Sequence, residues 1–171
     1  DPVTAEGAGE LTLDATSAAG PLAAPRSGAN DILSGSVLAI TPSKAATALE
    51  VKIDPGKVDA LALGAPRLEM SYSGTTPAGD RPTRVFAQLV DDDTGIVLGN
   101  QITPVDIVLD GTQRDVSVDL EMISFHLQPG HTVTLQLVAT TVAYAQPRLG
   151  GSLDASKISI SLPVANDVTP G

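Results

Sequence analysis

The sequence predicts an all-β chain folded as an antiparallel two-sheet β-sandwich, with jelly roll as the leading topology. Three observations carry this. Apolar residues recur at every second position in a series of separate segments. Proline–glycine and Asp-rich turn chemistry stands between those segments. No stretch shows the 3.6-residue period of an amphipathic helix, and no repeat of fixed length is visible.

Residues 1–31 are rich in Ala, Gly, Pro and Ser, and Gly20, Pro21, Pro25 and Gly28 interrupt any period. Only Leu11–Thr16 alternates there as a strand does. Residues 1–35 are therefore expected to form a linker or extended lead-in with one short strand, and residues 36–171 the sandwich domain. Within the latter, Pro66–Ser73 sets Leu68, Met70 and Tyr72 on one face against Arg67, Glu69 and Ser71. Thr83–Asp91 sets Val85, Ala87 and Leu89 opposite Phe86, Gln88 and Val90. Arg114–Met122 places Val116, Val118, Leu120 and Met122 inside, and Asp115, Ser117, Asp119 and Glu121 outside. Thr132–Thr140 pairs inward Val133, Leu135 and Leu137 with outward Thr134 and Gln136. Ser156–Leu162 closes the series with Ile158, Ile160 and Leu162 inside. A period of two is the mark of half-buried antiparallel strands.

The connectors agree. Asp54-Pro55-Gly56-Lys57 and Gln128-Pro129-Gly130-His131 both read as type II turns, where proline presets φ and the following glycine accepts a positive value. Asp92-Asp93-Thr94-Gly95 reads as a hairpin loop. Met122–Leu127 is too short for a helix, and Pro129 follows it.

Composition bounds the function. The 171 residues carry 20 acidic and 10 basic side chains, a net charge of −10, and no cysteine. Disulfides and thiolate metal sites are excluded. Such acidity repels phosphate backbones, so nucleic acid is not an expected partner. No apolar run approaches the roughly 20 residues of a helical membrane span. The chain opens at Asp1 with no signal-like segment and is expected to be a processed form or a piece of something longer. Absence of cysteine leaves the compartment open, with a secreted or cell-envelope bacterial protein favoured.

Catalytic motifs are missing. No serine has glycine at both −2 and +2, as a nucleophile elbow requires, and Ser152 meets Asp154 where a glycine would stand. His126 and His131 lack an evident third partner for zinc and are read as turn-flanking residues. Asp91, Asp92 and Asp93 are candidate calcium ligands, since carboxylate oxygens in a loop suit a hard cation. The competing reading is ordinary hairpin chemistry, because the D-x-D-x-D-G-x5-E pattern is absent, and no cofactor is expected. Asp106, Asp110, Asp115 and Asp119 read as solvent-facing charges that discourage edge pairing. Arg67, Arg81, Arg84 and Arg148 form no run and are expected in surface ion pairs. Gly150-Gly151 is not a phosphate loop, as no lysine or helix start follows. Among the aromatics, Tyr144 is the plausible exposed ring, either a sugar platform or a cap on the core edge.

Three segments, in order, resemble one family. Gly64-Ala-Pro-Arg-Leu-Glu-Met-Ser-Tyr-Ser-Gly74 is similar to the "Gly-x-Pro-x-Leu" strand that opens the C-terminal domain of X-Pro dipeptidyl-peptidase and cocaine-esterase-type (CocE/NonD) hydrolases. Val85–Asn100 resembles that domain's hairpin with its acidic-glycine turn. Phe125–Leu137 resembles its strand with a Pro-Gly-His opening. The stretch Ala139–Pro147 departs from the family's Ser-Ser-x-aromatic-Pro pattern, which suggests an outlying subgroup. The resemblance implies a jelly-roll (galactose-binding-like) sandwich packed on an α/β-hydrolase domain of the same parent protein. The family's catalytic residues lie on that other domain, so none is carried onto this chain. The function expected is a non-catalytic accessory domain of a serine hydrolase of acyl esterase or X-Pro dipeptidyl-peptidase type, shaping substrate access. The alternative is a carbohydrate or cell-surface polymer binding module. Homo-oligomer contacts are a further partner option.

Overall fold

The computed structural model describes residues 1–21, 42–57, 59–77, 79–141, 143–144 and 149–165. The linker reading of residues 22–35, and Val142 and residues 145–147 of the family departure, lie outside the described residues.

The alternating segments form strands packed in two layers. The first is a four-stranded antiparallel sheet in the order β1 (Val3–Thr12), β14 (Ser152–Leu162), β6 (Arg67–Thr75) and β10 (Arg114–Asp119). The second centres on β4 (Leu49–Ile53), β12 (Val133–Val138) and β7 (Thr83–Asp91), paired antiparallel in that order. It continues from β7 to β8 (Ile96–Val97) and β9 (Thr103–Ile107). Short pieces β3 (Pro42–Ser43), β2 (Ala18–Pro21) and β13 (Thr140–Thr141) extend it, and β2 with β13 is a parallel pair. A small sheet of β11 (Ile123–Leu127), β5 (Ala60–Gly64) and β15 (Val164–Ala165) adds Ala62, Ile123 and Leu127 to the same core. The chain is an all-β sandwich; among the described residues the helical element is a 3-10 turn at Leu98–Asn100.

The core lies between the layers, and period two put it there. Leu68, Met70 and Tyr72 of β6 and Ile158, Ile160 and Leu162 of β14 face Val85, Ala87 and Leu89 of β7 and Val133, Leu135 and Leu137 of β12 in one cluster. Full burial of each such aliphatic contributes about 1.5–3 kcal/mol. Tyr72 keeps its hydroxyl satisfied by accepting the Val108 backbone N–H at 3.2 Å. The turns behave as their chemistry dictates. Gly56 and Gly130 adopt φ of 61° and 78°, and the His131 N–H closes the second turn on the Gln128 carbonyl at 3.0 Å. The two turns also join, Gly130 donating to the Gly56 carbonyl at 3.2 Å.

Several expectations need correction. The first strand is not Leu11–Thr16 but Val3–Thr12, and it pairs along its length with β14. β10 ends at Asp119, so Met122, expected inside, is 67% exposed. Val116 and Val118 are only half-buried, because β10 is the edge of its sheet. Ser156–Leu162 begins earlier, at Ser152, with a bulge between Ala155 and Lys157. Thr134 and Gln136, expected in solvent, are buried. The outer face of β7 and β12 is itself covered: Phe86 and Val138 pack there with Ala45 and Ile102.

At one edge the two layers nearly touch. Gly7 and Gly9 of β1 face Val51 and Leu49 of β4, and a Cβ on Gly7 would stand 2.7 Å from Val51 Cγ2. Val51 is buried and β-branched, so it has little room to turn. Gly7→Ala is expected to cost about 1–2 kcal/mol by overpacking. Gly9→Ala, whose nearest contact would be 3.4 Å, should cost less. Urea midpoints of the two variants check the order; equal midpoints would mean the layers are not held at that distance.

Candidate functional site

The chemistry-bearing side chains gather where two loops meet. The end of β7 carries Asp91, the β7–β8 hairpin loop carries Asp92 and Asp93, and the Pro129–Gly130 turn delivers His131 from 40 residues away. Gly95 N–H donates to the Asp91 carbonyl at 2.8 Å and closes the hairpin. Asp91 is buried. Its Oδ1 accepts from the Asp93 backbone N–H at 3.1 Å and faces His131 Nε2 at 2.7 Å, while its Oδ2 accepts from the Thr94 hydroxyl at 2.6 Å. Burial alone would raise this carboxyl's pKa. The hydrogen bonds from Thr94, His131 and the Asp93 amide outweigh it and hold the group below 3.8.

The three aspartates separate into two roles. Asp93 Oδ2 lies 3.2 Å from His131 Nε2, on the same side as Asp91. Asp92 turns the other way. It accepts from the Thr134 hydroxyl at 2.8 Å, the Thr132 hydroxyl at 3.0 Å and the Lys44 ammonium at 3.2 Å. The sequence alone gave no sign that His131 would replace Asp92 in this group, because the contact comes from the distant turn between β11 and β12.

Burial would also raise the Asp92 carboxyl, but its bonds from Thr134, Thr132 and Lys44 pull it below 3.8. A carboxyl lower in the folded chain than in the unfolded one stabilises above the unfolded value. That contribution is lost as the pH falls through the folded value. Stability is therefore expected to decline as the pH drops below 3.8, and Asp92→Asn to flatten that decline. Urea midpoints at neutral and acid pH measure it; an acid limb identical to the parent's would refute the tie.

The second histidine stands apart. His126 Nε2 faces Asp59 Oδ1 at 2.6 Å on the exposed side of β11. Each imidazole thus faces a carboxylate, and no serine hydroxyl bonds to either among the described residues. Of the arginines expected in surface pairs, Arg67 meets Asp119 at 2.8 Å and Arg84 meets Asp106 at 2.6 Å, while Arg148 lies outside the described residues; Arg114, not among those expected, pairs with Asp110 at 2.6 Å. Exposed pairs of this kind contribute little. Tyr144 stacks on buried Phe86, centroids 5.7 Å apart and planes 17° from parallel, with 42% of the residue exposed. An open groove of about 380 Å³ crosses the outer face of the four-stranded sheet between Glu69, Asp115 and Lys157. In that groove the Ser71 hydroxyl donates to Asp115 and the Ser117 hydroxyl to Glu69, and neither serine bonds to a histidine.

The fold and these groups define a sandwich domain whose ionisable side chains are mostly engaged in loop contacts and surface pairs. No family model matches the chain, and no curated protein matches its sequence. Solved structures do match. Part of a CocE/NonD family hydrolase from Staphylococcus aureus aligns with 95% of this chain at a TM-score of 0.51 and 9% identity, over 37% of that hydrolase. An α-amino acid ester hydrolase aligns with 68% of this chain at a TM-score of 0.50 and 16% identity, over 25% of its own length. The chain therefore spans well under half of the hydrolases it matches, and what it shares with them is the fold. The resemblance read at Gly64–Gly74, Val85–Asn100 and Phe125–Leu137 is borne out at that level. Those segments are β6, the β7–β8 hairpin and β11 with β12.

Proposed function

We propose that this chain is the non-catalytic β-sandwich accessory domain, of jelly-roll topology, of a serine hydrolase of the acyl esterase or X-Pro dipeptidyl-peptidase type. It packs on the α/β-hydrolase core of the same parent protein and shapes the approach of substrate. One observation carries the reading. The likeness takes in nearly all of this chain and only 37% of the hydrolase it aligns with, as an appended domain would. Exposed Leu63 and Met122, on the neighbouring β5 and the lead-in to β11, offer apolar surface for such packing.

The purified chain is expected to remain unlabelled by a fluorophosphonate probe and to leave simple esters intact. The reading frame around it should encode an α/β-hydrolase region with a Gly-x-Ser-x-Gly elbow. A covalently labelled serine in this chain would overturn the reading. So would retention on insoluble polysaccharide that Tyr144→Ala abolishes, which would instead make this a glycan-binding module.

A further inference from the structure

Asp91, Asp93 and His131 bring three metal-ligating atoms within 4.8 Å of one another. They come from the end of β7 with its loop and from the turn before β12, so the grouping is made by the fold and not by a run of acidic sequence. His131 Nε2 sits 2.7 Å from Asp91 Oδ1 and 3.2 Å from Asp93 Oδ2. A neutral imidazole nitrogen carries at most one proton and shares it well with one acceptor. Here one nitrogen faces two carboxylates. A divalent cation in that proton's place serves both, with ligand bonds of about 2.0–2.2 Å and neighbouring ligands roughly 3.3 Å apart. The side chains need only small movements to reach that spacing.

The surroundings suit a ligand set. The second oxygen of Asp91 is oriented by the Thr94 hydroxyl, as outer partners orient metal-bound carboxylates. The His131 ring is held by the edge-to-face contact with Phe125, centroids 5.4 Å apart. Two carboxylates and a neutral imidazole balance a doubly charged ion, and the net charge of −10 favours cations generally. Asp93 is 71% exposed, which gives the ion a route from solvent.

We propose that Asp91, Asp93 and His131 form a binding site for a divalent transition metal, with Zn2+ the best fit and a water completing the ligand set. Imidazole is a better donor to zinc than to calcium, so the site departs from the calcium expectation and excludes Asp92. The inference does not depend on the accessory-domain reading.

The test uses the full chain, freed of metal with EDTA. Zn2+ and Ca2+ are titrated separately by calorimetry, and the two histidine rings are followed by NMR. One Zn2+ is expected to bind, to perturb the ring of His131 and not that of His126, and to raise the Tm. Asp93→Asn should weaken the binding about tenfold or more. Because Asp93 is exposed, that variant keeps the fold, which its unchanged metal-free Tm verifies. The proposal is overturned if millimolar Zn2+ leaves His131 unperturbed, if His126 alone responds, or if Asp93→Asn binds as the parent does. Calcium binding without zinc binding overturns it as well.

Discussion

Gly151→Ala is expected to be among the most damaging single substitutions in this chain, lowering stability by about 3–5 kcal/mol. Two costs add. Gly151 sits at φ 101°, in the region that L side chains rarely enter. A Cβ there would also stand 1.9 Å from the Thr75 carbonyl oxygen and 2.8 Å from Thr76 Cα. Both are backbone atoms, at the end of β6 and just past it, which no rotamer change can move aside. The residue also joins three strands' ends. Its carbonyl accepts from the Leu13 N–H at 3.0 Å, just where β14 begins its pairing with β1 and β6. Relief by shifting the loop would therefore loosen buried Leu13. For a domain of this size the loss corresponds to roughly 10 °C in Tm. Gly95→Ala is the control: φ is 68°, but nothing lies within 4 Å of the added carbon, so only the conformational cost of about 1 kcal/mol applies. Thermal melts of the pair decide it. Equal losses would show that the close approach to Thr75 contributes nothing.

Gln136→Leu is expected to cost about 3 kcal/mol, although it adds an apolar side chain to a buried position. Gln136 is fully buried and uses both ends of its amide. Its Oε1 accepts from the Ala45 N–H at 2.9 Å and from the Gln88 amide at 2.7 Å. Its Nε2 donates to the Ala45 carbonyl at 3.1 Å and to Glu50 at 2.7 Å. The side chain thus behaves as a strand partner for Ala45, pinning the segment before β4 onto the outer face of the sheet. Leucine leaves the Ala45 N–H and C=O buried without that partner. Beyond the lower urea midpoint, amide exchange at Ala45 should accelerate while Leu135 and Leu137 stay protected. An unchanged exchange rate at Ala45 would mean that other contacts hold the segment.

The failures of sequence reading have particular causes. Val3–Thr12 does not read as a strand because its inward positions include Ala5, Gly7 and Gly9. Val51 and Leu49 of the opposite layer already fill that space, so the strand has no need of the large apolar residues that announce one. Gln136 reads as solvent-facing because a polar residue on an alternating strand normally faces water. Here a further segment covers the second face, and the amide exists to bind it. His131 has no partner legible in its own stretch of sequence, because Asp91 and Asp93 reach it across 40 and 38 positions of chain.

The sequence by itself determined the sandwich and those of its strands whose large apolar residues alternate. Side chains that alternate in a strand can satisfy an apolar and an aqueous face only by stacking sheets, and proline with glycine permits few turn shapes. These are local rules, legible residue by residue in Leu68–Tyr72, Ile158–Leu162 and the two Pro-Gly turns. Tertiary structure alone decided which outer face is covered, where the layers close to glycine distance, and which aspartates meet His131. Those depend on atoms brought together from distant parts of the chain, and free energy of that kind has no counterpart in any short window of sequence.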